Sequence, residues 1–163
     1  MNDTGVVIAF WALSAITVAS ALMVAAVRNL VYAVLFLVLS LMGVAGLYIT
    51  LSADFIAMAQ ILIYVGAIAV LLLFAIMLTP RAGRNNAESP FWAPGLVVAG
   101  LVAATISMVA VSTDWHQGDQ GQFTSTAQLL GEALLDPFVL PFEIASVVLV
   151  VAMIGAIVLI RED

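Results

Sequence analysis

Three residues of unusual type for a lipid-facing helix lie within an uncharged stretch, Phe55–Thr79: Gln60, Tyr64 and Gly66. An amide and a phenol inside a membrane segment form interhelical hydrogen bonds or line a polar path, and a glycine loosens the helix. Gln60 and Tyr64 are four residues apart, so a regular helix places them on one face. Taken alone, these residues favour interhelical packing, and a functional flexible point at Tyr64 and Gly66 is the alternative hypothesis.

Glu143 is the only acidic residue inside a hydrophobic span. A charged carboxyl is expensive to bury in lipid, which makes an intramembrane acid a candidate for a proton pathway. The sequence Leu140–Glu143 also has the character of a helix start, with a proline in the first turn and an acid that the helix dipole favours. Both interpretations stay open. Asp54, at the boundary of the Phe55–Thr79 stretch, is interpreted as a solvated cap.

The composition is that of an integral membrane protein. Apolar residues make up 65% of the 163 residues and charged residues only 9%, whereas a soluble domain has about 25% charged residues. The chain has no cysteine and one histidine, so it lacks ligands for thiolate-bound iron–sulfur clusters or a bis-histidine haem. Its formal net charge of −6 argues against nucleic acid as a partner.

Five apolar stretches are long enough to cross a hydrocarbon core of about 30 Å as helices. The sequence therefore predicts an all-α integral membrane protein with a single membrane domain, residues 1–163. The predicted transmembrane helices are residues 5–27, 30–52, 55–79, 93–113 and 138–160. Between the last two, residues 125–135 are predicted to form a short interfacial helix with an apolar face.

The charged residues predict the orientation. If the chain crosses five times, every arginine lies on one side, and the opposite side carries acidic residues only. Basic loops face the cytoplasm, so we expect the N-terminus outside and the C-terminus in the cytoplasm of a multi-pass protein. The arginines are Arg28, Arg81, Arg84 and Arg161, and the acids opposite them are Asp3, Asp54, Asp114, Asp119, Glu132 and Asp136.

Three segments resemble the J subunit of proton-pumping NADH:quinone oxidoreductase, respiratory complex I, whose mitochondrial relative is subunit 6. They are Asn29–Leu51, the core QILIYVGAIAVLLLFAIML of Phe55–Leu78, and Leu140–Ile160, and they follow in this order. The resemblance covers nearly the whole chain. It implies a membrane-arm subunit in which electron transfer from NADH to quinone is coupled to proton translocation.

The same resemblance implies a π-bulge in the third span near Tyr64 and Gly66, whose conversion to regular helix would gate a water path. Tyr64 would then be a hydrogen-bonding gate residue and Gly66 the hinge; the family's other glycines match Gly43 and Gly46. Some relatives carry an acidic residue near the position of Gln60. This chain has no acidic residue there, which argues against a titrating role at that position. Glu143 completes the set of path candidates.

The resemblance also implies partners and a location. The chain would bind no cofactor itself, while the complex would use FMN, iron–sulfur clusters, NADH and quinone. Its neighbours would be the A, H, K and N subunits and the lipid of a bacterial plasma membrane. The alternatives are a subunit of a related membrane-bound hydrogenase or cation/proton antiporter complex, or a purely structural assembly subunit.

Overall fold

A computed structural model describes residues 3–79, 92–114 and 126–160, and these residues form helices joined by short turns. Five of the helices are long and apolar enough to span a membrane, so the predicted all-α membrane fold with five spans is confirmed for the described residues. The helices are α1 (Asp3–Ala26), α2 (Leu30–Thr50), α3 (Asp54–Leu78), α4 (Trp92–Ser112), α5 (Thr126–Leu135) and α6 (Val139–Ile160).

The predicted ranges of the five spans and of the short interfacial helix stay predictions. Contacts group the chain into two compact units, Met1–Gln120 and Gly121–Asp163. The prediction of one membrane domain stays a prediction. Arg81, Arg84 and Arg161, on which the predicted orientation depends, lie outside the described residues.

In the first unit, α1 and α2 form a tightly packed helical hairpin. The turn between them ends at Asn29, whose side-chain Oδ1 accepts a hydrogen bond of 3.0 Å from the backbone N–H of Val31. Asn29 thus caps α2 and satisfies one of the N–H groups that have no partner within the helix. The connection between α1 and α2 is three residues long, Val27–Asn29.

Small and hydroxylated side chains make up the interface between α1 and α2. Gly43 and Gly46 leave room for Thr17 and Leu13 of α1, which approach the positions that a Cβ atom would occupy. The Ser40 hydroxyl donates a hydrogen bond of 3.3 Å to the backbone carbonyl of Thr17. Close backbone approach and hydroxyl bonds of this kind hold membrane helices together, because lipid provides no hydrophobic drive between them.

The connection from α2 to α3 is a short turn with a left-handed residue, Ser52, at φ 60°. The Ser52 N–H bonds the carbonyl of Ile49 at 3.0 Å, and the Ala53 N–H bonds the carbonyl of Tyr48 at 2.9 Å. This is the Schellman pattern that ends helices, here with serine at a position that glycine usually takes. The Ala57 N–H then bonds the Ala53 carbonyl at 3.0 Å, so α3 begins directly after the turn.

Helix α3 consists of three parts in one continuous rod. Asp54–Ala59 and Val70–Leu78 are α-helical, and Gln60–Ala69 between them is a π-helix of ten residues. The resemblance implied a π-bulge near Tyr64 and Gly66, and a π-helix that contains both residues is present. Its length is well beyond the single turn that is usual for π-bulges.

Helix α4 belongs to the first unit but packs against none of α1, α2 and α3. Its residues Ala93–Ser112 are exposed throughout. The hydroxyls of Thr105 and Ser107 donate to carbonyls one turn earlier, at 2.8 Å each. These internal bonds let α4 lie in an apolar environment without unpaired hydroxyl groups.

The second unit consists of α5 and α6, which contact each other across a tight turn. The Phe138 N–H donates to the Ala133 carbonyl at 2.9 Å, and the Asp136 N–H donates to the Glu132 carbonyl at 3.1 Å. On α5, the Gln128 amide donates to the Glu132 carboxylate at 3.0 Å, a pair four residues apart that supports a short helix.

The interface between α1 and α2 generates a test by paired substitution. We expect Gly43→Ala to destabilise the hairpin by about 1–3 kcal/mol, because the new methyl group overlaps the Thr17 hydroxyl. Thr17→Ala removes that hydroxyl, so the double variant is expected to recover most of the loss. The measurement is unfolding of the chain in mild micelles by sodium dodecyl sulfate, followed by circular dichroism. Gly100→Ala on α4, where nothing lies within 4 Å, is the control, and additive effects at Gly43 and Thr17 would contradict the packing.

Candidate functional site

The π-helix joins its flanking α-helices without a break in the rod. Ala59 before it has φ −59° and ψ −42°, and Val70 after it has φ −66° and ψ −45°, both ordinary helical values. A π-helix closes its hydrogen bonds over five residues, whereas an α-helix closes them over four. The segment therefore contains more residues per turn than its neighbours, and this shifts the faces of the residues that follow it.

The buried and exposed positions along α3 reflect this shift of faces. α2 is the only helix that α3 packs against in the described residues. The buried positions of α3 are Ala57 and Ala69, and the half-buried ones are Ala59, Gln60, Val65, Leu73 and Ile76. One row through these positions runs Ala57, Gln60, Val65 and Ala69. The step from Gln60 to Val65 is five residues, and the other steps are three or four. We call these four residues the α2-facing strip. The five-residue step falls inside the π-helix, where five residues bring the chain round to the same side.

The π-helix brings Ala57 and Ala69 to the same side of α3. Each is 1% exposed, so both lie against α2. Twelve residues of regular α-helix would leave them about 120° apart around the axis. The π-helix removes most of this angle, so both α-helical ends of α3 rest on α2 at once. A change between π-helix and α-helix would turn one end of α3 relative to the other.

Tyr64 and Gly66 lie on the side of the π-helix that faces away from α2. Tyr64 is 49% exposed and Gly66 is exposed as well. A Cβ atom built on Gly66 would meet only the Ile61 carbonyl oxygen, at 3.4 Å, which is ordinary contact. The surroundings of position 66 within this chain therefore accept an alanine side chain. A requirement for glycine there has to come from a neighbouring subunit or from a different helical geometry of this segment.

Gln60 and Tyr64 differ in environment more than a regular helix predicts. Gln60 is half-buried in the α2-facing strip, whereas Tyr64 is largely exposed. Among the described residues, neither the Gln60 amide nor the Tyr64 hydroxyl has a hydrogen-bond partner. Polar groups in lipid need such partners, so these two groups are available to water or to another protein chain.

Gly43 and Gly46 lie in α2, where they pack against Thr17 and Leu13 of α1. Asp54 is the first residue of α3 and is exposed, where the dipole of the helix favours an acid. Sequence reasoning missed the α2-facing strip. Its members outside Gln60 are apolar residues among apolar residues, so no polarity pattern distinguishes them.

Glu143 lies in the second turn of α6 as the fifth residue of the helix, and the first turn holds no acid. The favourable effect of a helix dipole falls off within the first turn, which weakens the interpretation as a helix-start acid. The Ser146 hydroxyl donates to the backbone carbonyl of Glu143 at 2.7 Å. The carboxylate itself is exposed and has no partner among residues 126–160.

Residues that could hold a metal or cofactor do not come together in the described part of the chain. No group of three histidine, cysteine, aspartate or glutamate side chains is close enough there to hold a metal ion. The sequence has no cysteine, the residue that supplies the thiolate ligands of iron–sulfur clusters.

The fold and the site define a class before any comparison: a multi-spanning helical membrane protein that covers little of its own surface and carries a π-helix in one span. The family model for NADH-ubiquinone/plastoquinone oxidoreductase chain 6 matches residues 20–159. The chain belongs to this family, and it is therefore a membrane subunit of the NADH–quinone oxidoreductase type.

Relatives from three kinds of organism agree with this assignment. The chain is 42% identical to NAD(P)H-quinone oxidoreductase subunit 6 of the organellar chromatophore of Paulinella chromatophora, over 96% of this chain and 78% of that protein. It is 38% identical to NAD(P)H-quinone oxidoreductase chain 6 of Synechocystis sp., over 96% and 81%. It is 36% identical to F(420)H(2) dehydrogenase subunit J of Methanosarcina mazei, over 94% and 90%.

The shift of faces along α3 is testable with spin labels, because the chain has no native cysteine. We expect labels on Ala57→Cys and Ala69→Cys to collide slowly with oxygen dissolved in the micelle, since α2 covers both sites. Ala67→Cys, which is exposed on the same π-helix, is the matched control and should collide rapidly. Rapid collisions at position 69 together with slow collisions at position 57 would indicate a regular α-helix and contradict the π-helical register.

Proposed function

We propose that this chain couples electron transfer to proton translocation in a membrane-bound quinone oxidoreductase, with α3 as the conformational gate of a water path. The observation that carries the proposal is the ten-residue π-helix in α3. It holds both α-helical ends of α3 on α2, and its outer side presents the Tyr64 hydroxyl and Gly66. Such a segment has two geometries available within one span, which is what a gate needs.

The gate works through rotation. In the π-helical state Val65 belongs to the α2-facing strip and Tyr64 lies beside it. In an α-helical state that keeps Ala57 on α2, position 64 follows Ala57 by seven residues, two α-helical turns, and so turns toward α2. The Tyr64 hydroxyl thereby changes its neighbours, and it can make or break a hydrogen-bonded water chain. Gly66 lowers the cost of the change because glycine loosens helices.

Gln60 and Glu143 are the further polar groups that we assign to the path. The Gln60 amide, half-buried next to the π-helix, can order water but cannot carry a proton as a carboxyl group does. The Glu143 carboxyl group can both order water and carry a proton. Its place in the second turn of an otherwise apolar helix supports a role inside the membrane.

The electron-transfer chemistry is assigned to partner subunits with FMN, iron–sulfur clusters, NADH and quinone sites. The described residues include no set of ligands for an iron–sulfur cluster. The names of the relatives support the assignment of electron transfer to other subunits. These names specify NAD(P)H in one case and F(420)H(2) in another. A subunit that serves complexes with different electron donors is best suited to the shared membrane reaction.

We place the N-terminus outside and the C-terminus in the cytoplasm of a bacterial plasma membrane, on the distribution of arginines. The neighbours are subunits of the A, H, K and N types. The extensive exposed apolar surface of α4 and α6 supports a position among other membrane helices. The F(420)H(2) dehydrogenase relative favours one second candidate: the same membrane role in a complex with an electron donor other than NADH.

The identity of the complex is tested by affinity purification of this chain in mild detergent, with mass spectrometry of the bound subunits. We expect subunits with a nicotinamide site and a quinone site to co-purify, because the chain buries too little of itself to stand alone. Recovery of a hydrogenase subunit or a set of antiporter subunits without a quinone-site subunit would overturn the proposed complex. A subunit specific for another electron donor would favour the second candidate.

The gate is tested by Gly66→Leu in the assembled complex. Leucine stabilises a regular helix relative to glycine by about 1 kcal/mol and adds bulk on the exposed side. We expect the number of protons moved per electron to fall by roughly fivefold if the gate equilibrium shifts by that energy. The measurement pairs dye-detected proton uptake in vesicles with the rate of quinone reduction, and electron paramagnetic resonance checks the clusters.

Gly100→Leu on α4, another open and exposed glycine, is the matched control and should leave coupling unchanged. Gly66→Ala should have a smaller effect than Gly66→Leu, because it adds helix propensity without much bulk. Normal coupling of Gly66→Leu in an intact complex would remove Tyr64 and Gly66 from the mechanism. Loss of assembly alone would favour a purely structural subunit.

A further inference from the structure

We propose that Glu143 is the contact point of α6 for a basic side chain of a neighbouring membrane subunit. The inference gives Glu143 a role separate from the path assignment above, and it rests on the proposed function only in that a multi-subunit membrane complex exists. It does not depend on the α3 gate.

The depth of Glu143 in the apolar band is the first step. The nearest charged residue before it is Asp136, seven positions earlier, and the residues between are mostly large and apolar. Phe138 and Leu140 before Glu143 and Ile144 and Val147 after it are all strongly exposed. Exposed side chains of this kind belong in lipid or against another apolar surface. Glu143 therefore lies within the apolar span, about 6 Å from its start at Val139.

The lack of a counter-charge in the same unit is the second step. Residues Thr126–Ile160 contain no lysine, arginine or histidine. From Glu143 to the end of α6 at Ile160 the helix runs about 26 Å, too far for Arg161 beyond it to reach back. Glu132 of α5 and Asp136 in the turn after it are acidic and would repel the carboxylate. The positive partner of Glu143 has to come from outside this unit.

The surface of α6 is the third step. None of its membrane-spanning window is buried among the described residues, so α6 has exposed surface on which neighbouring helices can pack. An intramembrane carboxylate is costly to leave in lipid and is almost always paired within a helix bundle. A basic side chain from another helix neutralises the charge, and charge-assisted hydrogen bonds fix the geometry. The family to which the chain belongs forms multi-subunit complexes, which supply such helices.

The helix geometry selects positions for a cross-linking test that leaves Glu143 in place. Val147 lies one turn after Glu143 on the same side of α6, and Val148 points about 140° away from Glu143. The two valines are 61% and 60% exposed, which makes them a matched pair. A photoreactive amino acid is placed at each position in turn, in the assembled complex in its native membrane.

After irradiation, we expect Val147 to cross-link to one other subunit, in a transmembrane peptide with a lysine, arginine or histidine within one helical turn of the linked residue. Val148 should not link to that peptide. In the Glu143→Lys background the Val147 cross-link and the yield of assembled complex should both fall by about tenfold, because like charges then meet in lipid. Glu143→Gln should retain more of both, since its amide still accepts a hydrogen bond.

Three results would overturn the contact: cross-links from Val147 to lipid only, to a peptide without a basic residue, or to the segment of this chain around His116. Normal assembly of Glu143→Lys would overturn it as well. These readouts are separate from proton translocation. The Glu143 contact can therefore fail while Gly66→Leu still uncouples the complex, and the gate can fail while the contact stands.

Discussion

Helix α2 is the element on which the packing of the first three spans depends, because α1 and α3 both pack on it and not on each other. On one side, Gly43 and Gly46 let α1 approach until Thr17 and Leu13 touch the α2 backbone. On the other side, α3 lays its α2-facing strip along the same helix. The buried residues of α2 are Val34, Ser40, Gly43 and Ala45, most of them small, which permits close approach of neighbouring helices.

The contact with α3 explains why the π-helix matters. Ala57 and Ala69 lie against α2 together only because the segment between them carries more residues per turn than an α-helix. The π-helix is therefore tied to tertiary packing at both ends, while its middle is free on the outer side. The Schellman turn at Ser52 fixes the first end to α2 within a few residues. A segment held at both ends and open in the middle is suited to exist in two geometries.

The three polar functional candidates share one property, a lack of hydrogen-bond partners among the described residues. The hydroxyls of Thr17, Ser20 and Thr105 all donate to nearby backbone carbonyls and need nothing further. The Gln60 amide, the Tyr64 hydroxyl and the Glu143 carboxylate have no partner in the described residues. Lipid cannot hydrogen-bond them, so they point to water or to other subunits.

The sequence alone determined the helices and their approximate ends. A stretch of more than 20 apolar residues has to satisfy its backbone hydrogen bonds internally in lipid, and the helix is the local solution. The segments around Tyr64 and Glu143 also gave enough resemblance to identify the family, which the comparisons confirmed. The π-helix was foreseen only through that resemblance, because the composition of Gln60–Ala69 fits an α-helix equally well.

Only the tertiary structure decided which sides of these helices meet. In a span where nearly every residue is apolar, polarity carries no record of the buried face, so Ala57, Val65 and Ala69 could not be singled out. The different surroundings of Gln60 and Tyr64 follow from the same cause, since a five-residue step replaces the four-residue step of a regular helix. Secondary structure in a membrane is a local consequence of length and apolarity. The face that each helix presents depends on contacts between distant parts of the chain.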